Sequence, residues 1–243
     1  MINRIRVINL ERSLERLTRF IARHPGLPVE RFPAVDGARL DRDACIESGV
    51  ISPDNEYIPG ALGNALSHIA LWRECSSGSE PFHIMEDDAV LRDDFPSMAS
   101  ALLDTLNDWD IVLWTHNFDW PLQIRPVRGV GVVVVQYDHE AVNETSLNLF
   151  RPGTETPFLA PLVSAAGFCC YSVSPRGAAR MLVDCLPIGR KQASYLKKTG
   201  AGWINTALDV EMSCHYDAWR AYVAIPPVAI TDNDKSTSTV WGH

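Results

Sequence analysis

Ile5-Arg6-Val7-Ile8-Asn9-Leu10, a turn at Glu11-Arg12-Ser13, then Leu14 to Ile21, a stop at Pro25-Gly26, and Val29 to Val35 closed by Asp36-Gly37: this opening decides the fold class. The first run is rich in β-branched residues and predicts a strand. Ser13 is the expected cap of the helix that follows, with Leu14, Leu17 and Ile21 at helical spacing as its apolar face. Pro25-Gly26 ends that helix, and Val29 to Val35 reads as a second strand. A strand–helix–strand unit of this length joins parallel strands, so the expectation is an α/β fold with a mostly parallel central sheet.

Further along, Gly60 to Trp72, Phe95 to Leu106 and Arg176 to Leu186 read as helices, with Ser174 and Pro175 starting the last. Short helices are expected near Asp41–Ser48 and Asn205–Met212. Trp109–Trp114, Val130–Val135, Phe168–Val173 and Trp219–Val228 read as strands. Residues 116–128 and 138–161 are rich in turn formers and aromatics and predict long loops, where specificity tends to reside. The tail, 231–243, is polar and expected to be irregular. Neither an internal repeat nor a linker is visible, so a single domain over 1–243 is expected.

Between these elements, Pro81-Phe82-His83-Ile84-Met85 runs into Glu86-Asp87-Asp88 and returns to Ala89-Val90-Leu91. Three adjacent carboxylates at a strand end repel one another unless a cation or water relieves them. Hard oxygen ligands suit Mg²⁺ or Mn²⁺, ions that commonly bridge to a substrate phosphate. The same residues also suit a solvated acidic turn or the cap of a following helix.

Composition narrows the classes. The 243 residues are 46% hydrophobic with a formal net charge of -8, which makes nucleic acid a poor main partner. No apolar run reaches the roughly 20 residues of a membrane span. The N-terminus lacks the long apolar core of a secretory leader, so a cytoplasmic location is expected. The 6 cysteines show neither zinc-site nor disulfide spacing and read as free thiols.

An ordered set of short motifs resembles glycosyltransferase family 25, the lipopolysaccharide galactosyltransferase-like family. These are Val7–Ser13 with Glu15-Arg16, Phe32–Gly37, Gly63–His68 with Trp72, Glu86-Asp87-Asp88 with Asp94-Phe95, Gly167–Ala178, and the acidic Asp209. Asn64 stands where the family often has Cys, with little consequence expected. Residues 116–160 carry no match.

The resemblance implies a GT-A-like α/β/α sandwich that binds a UDP-sugar, often UDP-galactose, at the carboxyl ends of its strands. It implies Mn²⁺ or Mg²⁺, inversion at the anomeric carbon, and a glycan or glycolipid acceptor such as a lipopolysaccharide oligosaccharide. The outer carboxylates Glu86 and Asp88 are the expected metal-side pair, Asp88 as direct ligand. Glu86 and Asp87 would also act through water or the donor's ribose.

Asn9, Leu10, Arg12 and Arg16 are placed to cradle uridine and pair with diphosphate, or else form a solvated helix face. Asp36 suits the ribose or uracil, or is a turn aspartate before Gly37. His68 faces the donor or packs structurally. Trp72 reads as core. Asp209 and Glu211 are the candidate bases for the acceptor hydroxyl, or helix-surface carboxylates. Arg190, Lys191, Lys197 and Lys198 suit acceptor phosphates, an anionic membrane surface in peripheral contact, or solvent. Nothing in the residues sets an oligomeric state. Two other readings fit the acidic triad: another nucleotide-dependent transferase or metal phosphohydrolase, and a catalytically degenerate relative that binds sugar or a partner.

Overall fold

The computed structural model describes residue 2 and residues 4–137, 142–196 and 201–231. In chain order the first half holds β1 (Ile5–Asn9), α1 (Leu14–Arg23), β2 (Val29–Pro33), α2 (Arg42–Glu47), α3 (Pro59–Ser76), β3 (Phe82–Glu86), β4 (Ala89–Leu91), α4 (Phe95–Leu103) and β5 (Ile111–Leu113). There follow β6 (Leu122–Ile124), β7 (Val133–Val135), α5 (Glu144–Phe150), β8 (Phe158–Ser164), β9 (Cys170–Val173) and α6 (Pro175–Cys185). The chain closes with β10 (Gln192–Leu196), β11 (Ala201–Ile204), α7 (Leu208–Ser213), β12 (Ala221–Ile225) and β13 (Ala229–Thr231).

A 9-stranded sheet runs in the order β2-β1-β3-β9-β5-β12-β8-β6-β7. Pairings of β1 with β2 and β3, and of β12 with β5, are parallel. The remaining pairings are antiparallel, so β2, β1, β3, β5, β12 and β6 point one way and β9, β8 and β7 the other. Alternation along each strand sends side chains to two layers. Ile8, Ile84, Ile111 and Leu113 meet α3 and α6 through Leu62, Ile69, Trp72 and Met181. Ile5, Val7, Met85 and Val112 meet α1 and α4 through Phe20, Phe95 and Ala99. Each fully buried Ile, Leu or Phe contributes about 1.5–3 kcal/mol by leaving water. The architecture is the expected α/β/α sandwich.

Several local expectations change. The chain turns through Glu11–Ser13 in a 3-10 turn, and Ser13 makes no side-chain cap bond. In α1 Phe20 is buried and Leu17 partly so, while Leu14 and Ile21 are each 48% exposed. The stretches 116–128 and 138–161 are not all loop, because β6, α5 and the start of β8 lie within them, while the strand expected at Val130–Val135 is present as β7. Ser174 caps α6 as expected, accepting from the Gly177 amide, and Asp41 caps α2 by accepting from the Asp43 and Ala44 amides. All 6 cysteines are free. The tail beyond Thr231 lies outside the described residues.

Two glycines set how closely the elements approach. A Cβ on Gly63 of α3 would sit 2.6 Å from Gly37 N and from Val35 O. One on Gly37 would overlap Pro59 O at 1.7 Å. The Ser67 hydroxyl donates to Gly63 O at 2.7 Å and accepts from Val35 N at 2.9 Å. The loop after β2 is thereby pinned to α3, beside the ends of β1 and β3.

Candidate active site

The parallel strands β1 and β3 end side by side, with Ile8 opposite Glu86. Ligands of open α/β sheets collect at such carboxyl ends. Here a cleft of about 250 Å³ is lined by Leu10, Arg12, Arg16, Asp36, Asn64 and Glu86-Asp87-Asp88, among others. A second cleft, of about 290 Å³, shares Asn64, Glu86 and Asp88 with the first and continues to Gly167, Trp203 and Asp209. Glu86 and Asp88, with Asn64, are therefore the wall between two adjoining spaces.

Each member of the triad is held differently. Glu86 Oε1 accepts from Asn64 Nδ2 at 3.0 Å and lies 3.2 Å from His68 Nε2. His68 Nδ1 is 2.9 Å from the Tyr171 hydroxyl, which accepts from Trp72 Nε1 at 2.8 Å. An indole N–H can only donate, so the chain is satisfied when Tyr171 O–H donates to Nδ1 and His68 Nε2–H donates to Glu86. Burial pushes the Glu86 carboxyl up. The bond from His68 and its electrostatic pull, the Asn64 bond and the Arg16 charge outweigh it and leave Glu86 below its ordinary range.

Asp87 is fastened on both oxygens, by Asn9 Nδ2 at 2.6 Å and by the Arg16 guanidinium at 2.6 Å. Burial still raises its pKa, against the pull of Arg16 and Asn9. Asn9 also donates to Ser13 O at 2.8 Å, which ties the turn after β1 to the triad. Arg16 reaches Asp88 at 3.4 Å. Arg12 pairs with Asp36 at 2.5 Å, and that bond lowers the Asp36 pKa.

In the second cleft Asp209 accepts from the Gly167 and Val210 amides at 3.0 and 2.9 Å. Burial raises its pKa, Glu86 adds to that, and the two amides oppose it. A carboxylate with a raised pKa is a stronger base when ionised.

The description "Glycosyltransferase family 25 (LPS biosynthesis protein)" matches residues 2–188. The chain belongs to glycosyltransferase family 25. Relatives named "Glycosyltransferase 25 family member" from Aedes aegypti and Anopheles gambiae are 29% and 28% identical to it over 130 residues, 46% of this chain. Those residues make up only 21% of each relative, so the chain spans a small part of the curated relatives it matches. A solved mannose-1-phosphate geranyltransferase from Thermus thermophilus aligns over 91% of this chain and 73% of its own. The TM-score is 0.38 at 14% identity, a likeness too slight to bear on function.

Within this family 25 chain the structure gathers most residues expected from the sequence. Leu10, Arg12, Arg16, Asp36, Glu86, Asp87 and Asp88 line one cleft, and Asp209 lines its neighbour. Asn9 and His68 stand behind the triad, 1% and 0% exposed, and bond to it rather than facing the cleft. Glu211 is elsewhere. It is fully buried and is bonded by Asn205 at 2.6 Å, by the Lys191 ammonium and by His215 at 3.2 Å. Asn64, expected to matter little, bonds Glu86 directly. The Tyr171 hydroxyl and the Trp72 indole N–H gave no signal of their role, because each reads as core in a sequence.

The donor atoms can be tested against a divalent ion. Glu86 and Asp88 present hard carboxylate oxygens where the two clefts meet, which fits Mg²⁺ or Mn²⁺. Asp87 fits less well, since both of its oxygens are engaged. A second group of ligand atoms, from Cys185, Glu211 and His215, lies within 4.8 Å of one another. There the Lys191 ammonium already supplies positive charge to Glu211. Arg190 pairs with Glu56 at 3.2 Å, while Lys197 and Lys198 lie outside the described residues. Among the described residues no helix is long and apolar enough to cross a membrane.

Proposed function

We propose that the chain transfers a hexose, galactose in the first instance, from a UDP-sugar to a hydroxyl of a glycan or glycolipid such as a lipopolysaccharide oligosaccharide, with inversion. One observation carries this: two clefts share the wall Asn64–Glu86–Asp88, with arginines in one and a carboxylate of raised pKa in the other.

In this reading Arg12 and Arg16 exchange their carboxylate partners for the diphosphate, which an arginine fork matches well. Leu10 and the freed Asp36 contact the nucleoside. Glu86 and Asp88 are the residues that would hold Mg²⁺ or Mn²⁺, whose chemistry when bound is to neutralise the leaving diphosphate. Asn64 and His68 fix the Glu86 carboxylate, and Asn9 fixes Asp87. Asp209 takes the proton from the acceptor hydroxyl as its oxygen bonds to the anomeric carbon. The bond to UDP breaks on the opposite side, and UDP leaves with that electron pair. One step of this kind inverts the centre, so an α-linked donor yields a β-linked product.

The test supplies UDP-hexoses, Mn²⁺ and a panel of glycans, and follows UDP release and the anomeric proton coupling of the product. UDP release with a β-linked product is expected. No release from any UDP-hexose would overturn the donor class, and an α-linked product would overturn the single displacement.

A further inference from the structure

Glu211, Lys191 and Asn205 have no part in the proposed chemistry, yet the buried Glu211 and Asn205 form a dense polar cluster with the half-buried Lys191. Asn205 is fully buried. It donates to Glu211 Oε2 at 2.6 Å and to Gly189 O at 2.9 Å, and accepts from the Tyr57 hydroxyl at 2.7 Å. Asn205 N also bonds Lys191 O at 2.8 Å. Lys191 and Asn205 flank the antiparallel β10–β11 pair, so the cluster clamps the base of that hairpin onto α7. A buried polar network with every member bonded holds one geometry, because any other leaves a polar group unpaired.

The clamped hairpin carries Trp203. Its ring meets that of Trp120 with centroids 4.6 Å apart and planes at 46°. Both half-buried indoles line the cleft that holds Asp209, with Asn117 and Thr206 as polar neighbours. Two aromatic rings beside a proton acceptor, with polar side chains at the edge, match the two surfaces of a pyranose. Its C–H face is apolar and its rim is hydroxylated. Aromatic faces bury such apolar surface, and a few placed polar groups set orientation.

We propose that Trp120 and Trp203 form a carbohydrate-ring subsite that selects a pyranose as the acceptor, in preference to a hydroxyl on a peptide or an acyclic alcohol. Glu211, through Lys191 and Asn205, is the positioning residue that sets Trp203. This rests on the transferase reading for the acceptor role, and the subsite itself can be tested without turnover.

Methyl β-galactoside, methyl β-glucoside, a β-linked disaccharide, galactitol and a serine-containing peptide are titrated against the wild-type chain by saturation-transfer NMR. The pyranosides should bind, and galactitol and the peptide should not. Trp203→Ala and Trp120→Ala should each weaken pyranoside binding about tenfold, the scale of one lost aromatic contact. Trp203→Phe should recover part of it. UDP affinity should stay within about twofold in all three, which also shows that they fold. Glu211→Gln should raise the acceptor KM and leave the acid limb of the pH profile in place, whereas loss of that limb would make Glu211 a base. If pyranosides bind no better than galactitol or the peptide, or bind unchanged in both alanine variants, the subsite is refuted. If they bind through the tryptophans and no UDP-hexose is turned over, the subsite stands and the transferase reading falls.

Discussion

Tyr171→Phe removes one oxygen from a wholly buried chain of hydrogen bonds. Trp72, His68 and Tyr171 are each 0% exposed, and the hydroxyl is bonded to both of the other two. Phenylalanine fills the same space, so the loss is polar rather than a cavity. It leaves the Trp72 N–H and His68 Nδ1 unpaired, and a buried polar group without its partner costs about 1–3 kcal/mol. Members of one network do not add fully, which brings the sum to about 2–4 kcal/mol. For a domain of this size each kcal/mol moves Tm by about 2–4 °C, so a fall of about 4–16 °C is expected. Circular dichroism melts and urea titrations with an unchanged m-value would measure it. Tyr222→Phe, on a half-buried strand position, is the control and should stay within about 0.5 kcal/mol. Turnover should fall with the loss of Glu86 alignment, while UDP affinity without added metal stays within about threefold, since Arg12, Arg16 and Asp36 stand on other elements. A loss below about 1 kcal/mol for Tyr171→Phe would refute the relay.

Other consequences follow from the same geometry. Burial raises the Asp209 pKa, so the base stays protonated to a higher pH than an ordinary carboxylate. Activity should therefore fall as pH drops through that raised value, with an acid limb in kcat/KM above the usual carboxylate pKa of about 4. Asp209→Asn should lower kcat by about 10²–10⁴ and abolish that limb, and full activity in that variant would remove the base assignment. Arg16→Ala should weaken UDP binding at least about tenfold by calorimetry, with Arg16→Lys between it and the wild type, because a lysine offers charge without the bidentate fork. Gly63→Ala should cost at least about 1–3 kcal/mol in urea titrations, since its Cβ meets backbone atoms at 2.6 Å rather than a side chain that can move. An unchanged midpoint would show that the loop of residues 34–37 is not seated on α3.

Much of this was legible in the residues because the signals are local. The β1–α1–β2 opening follows from strand composition, a Pro-Gly stop and apolar spacing, and the parallel pairing of those strands is observed. The triad, Arg12, Arg16 and Asp36 stand out as charges at element ends, which is where the cleft lies. What the residues hid depends on distant partners. Strand sense is not written in periodicity, so β9 reads as a strand without revealing that it runs against both of its neighbours, and β8 begins in a stretch that reads as loop. Which side of α1 packs depends on what lies opposite it, so Phe20 is buried while Leu14 and Ile21, at the expected spacing, stay exposed. Glu211 carries the same charge and helix position as a surface carboxylate, and only packing shows it sealed by Lys191 and Asn205. Asn64 and Tyr171 acquire roles from Glu86 and His68, which are 22 and 103 residues away in sequence.

The central claim is that the cleft between Arg12, Arg16 and Glu86-Asp87-Asp88 holds a nucleoside diphosphate with a divalent ion. Calorimetric titration of UDP into the chain, with and without Mn²⁺, tests it most directly. Saturable binding that strengthens with Mn²⁺ is expected in the wild type, with that metal dependence lost in Asp88→Ala. Absence of UDP binding at millimolar concentrations, or Mn²⁺ dependence undiminished in Asp88→Ala, would contradict it.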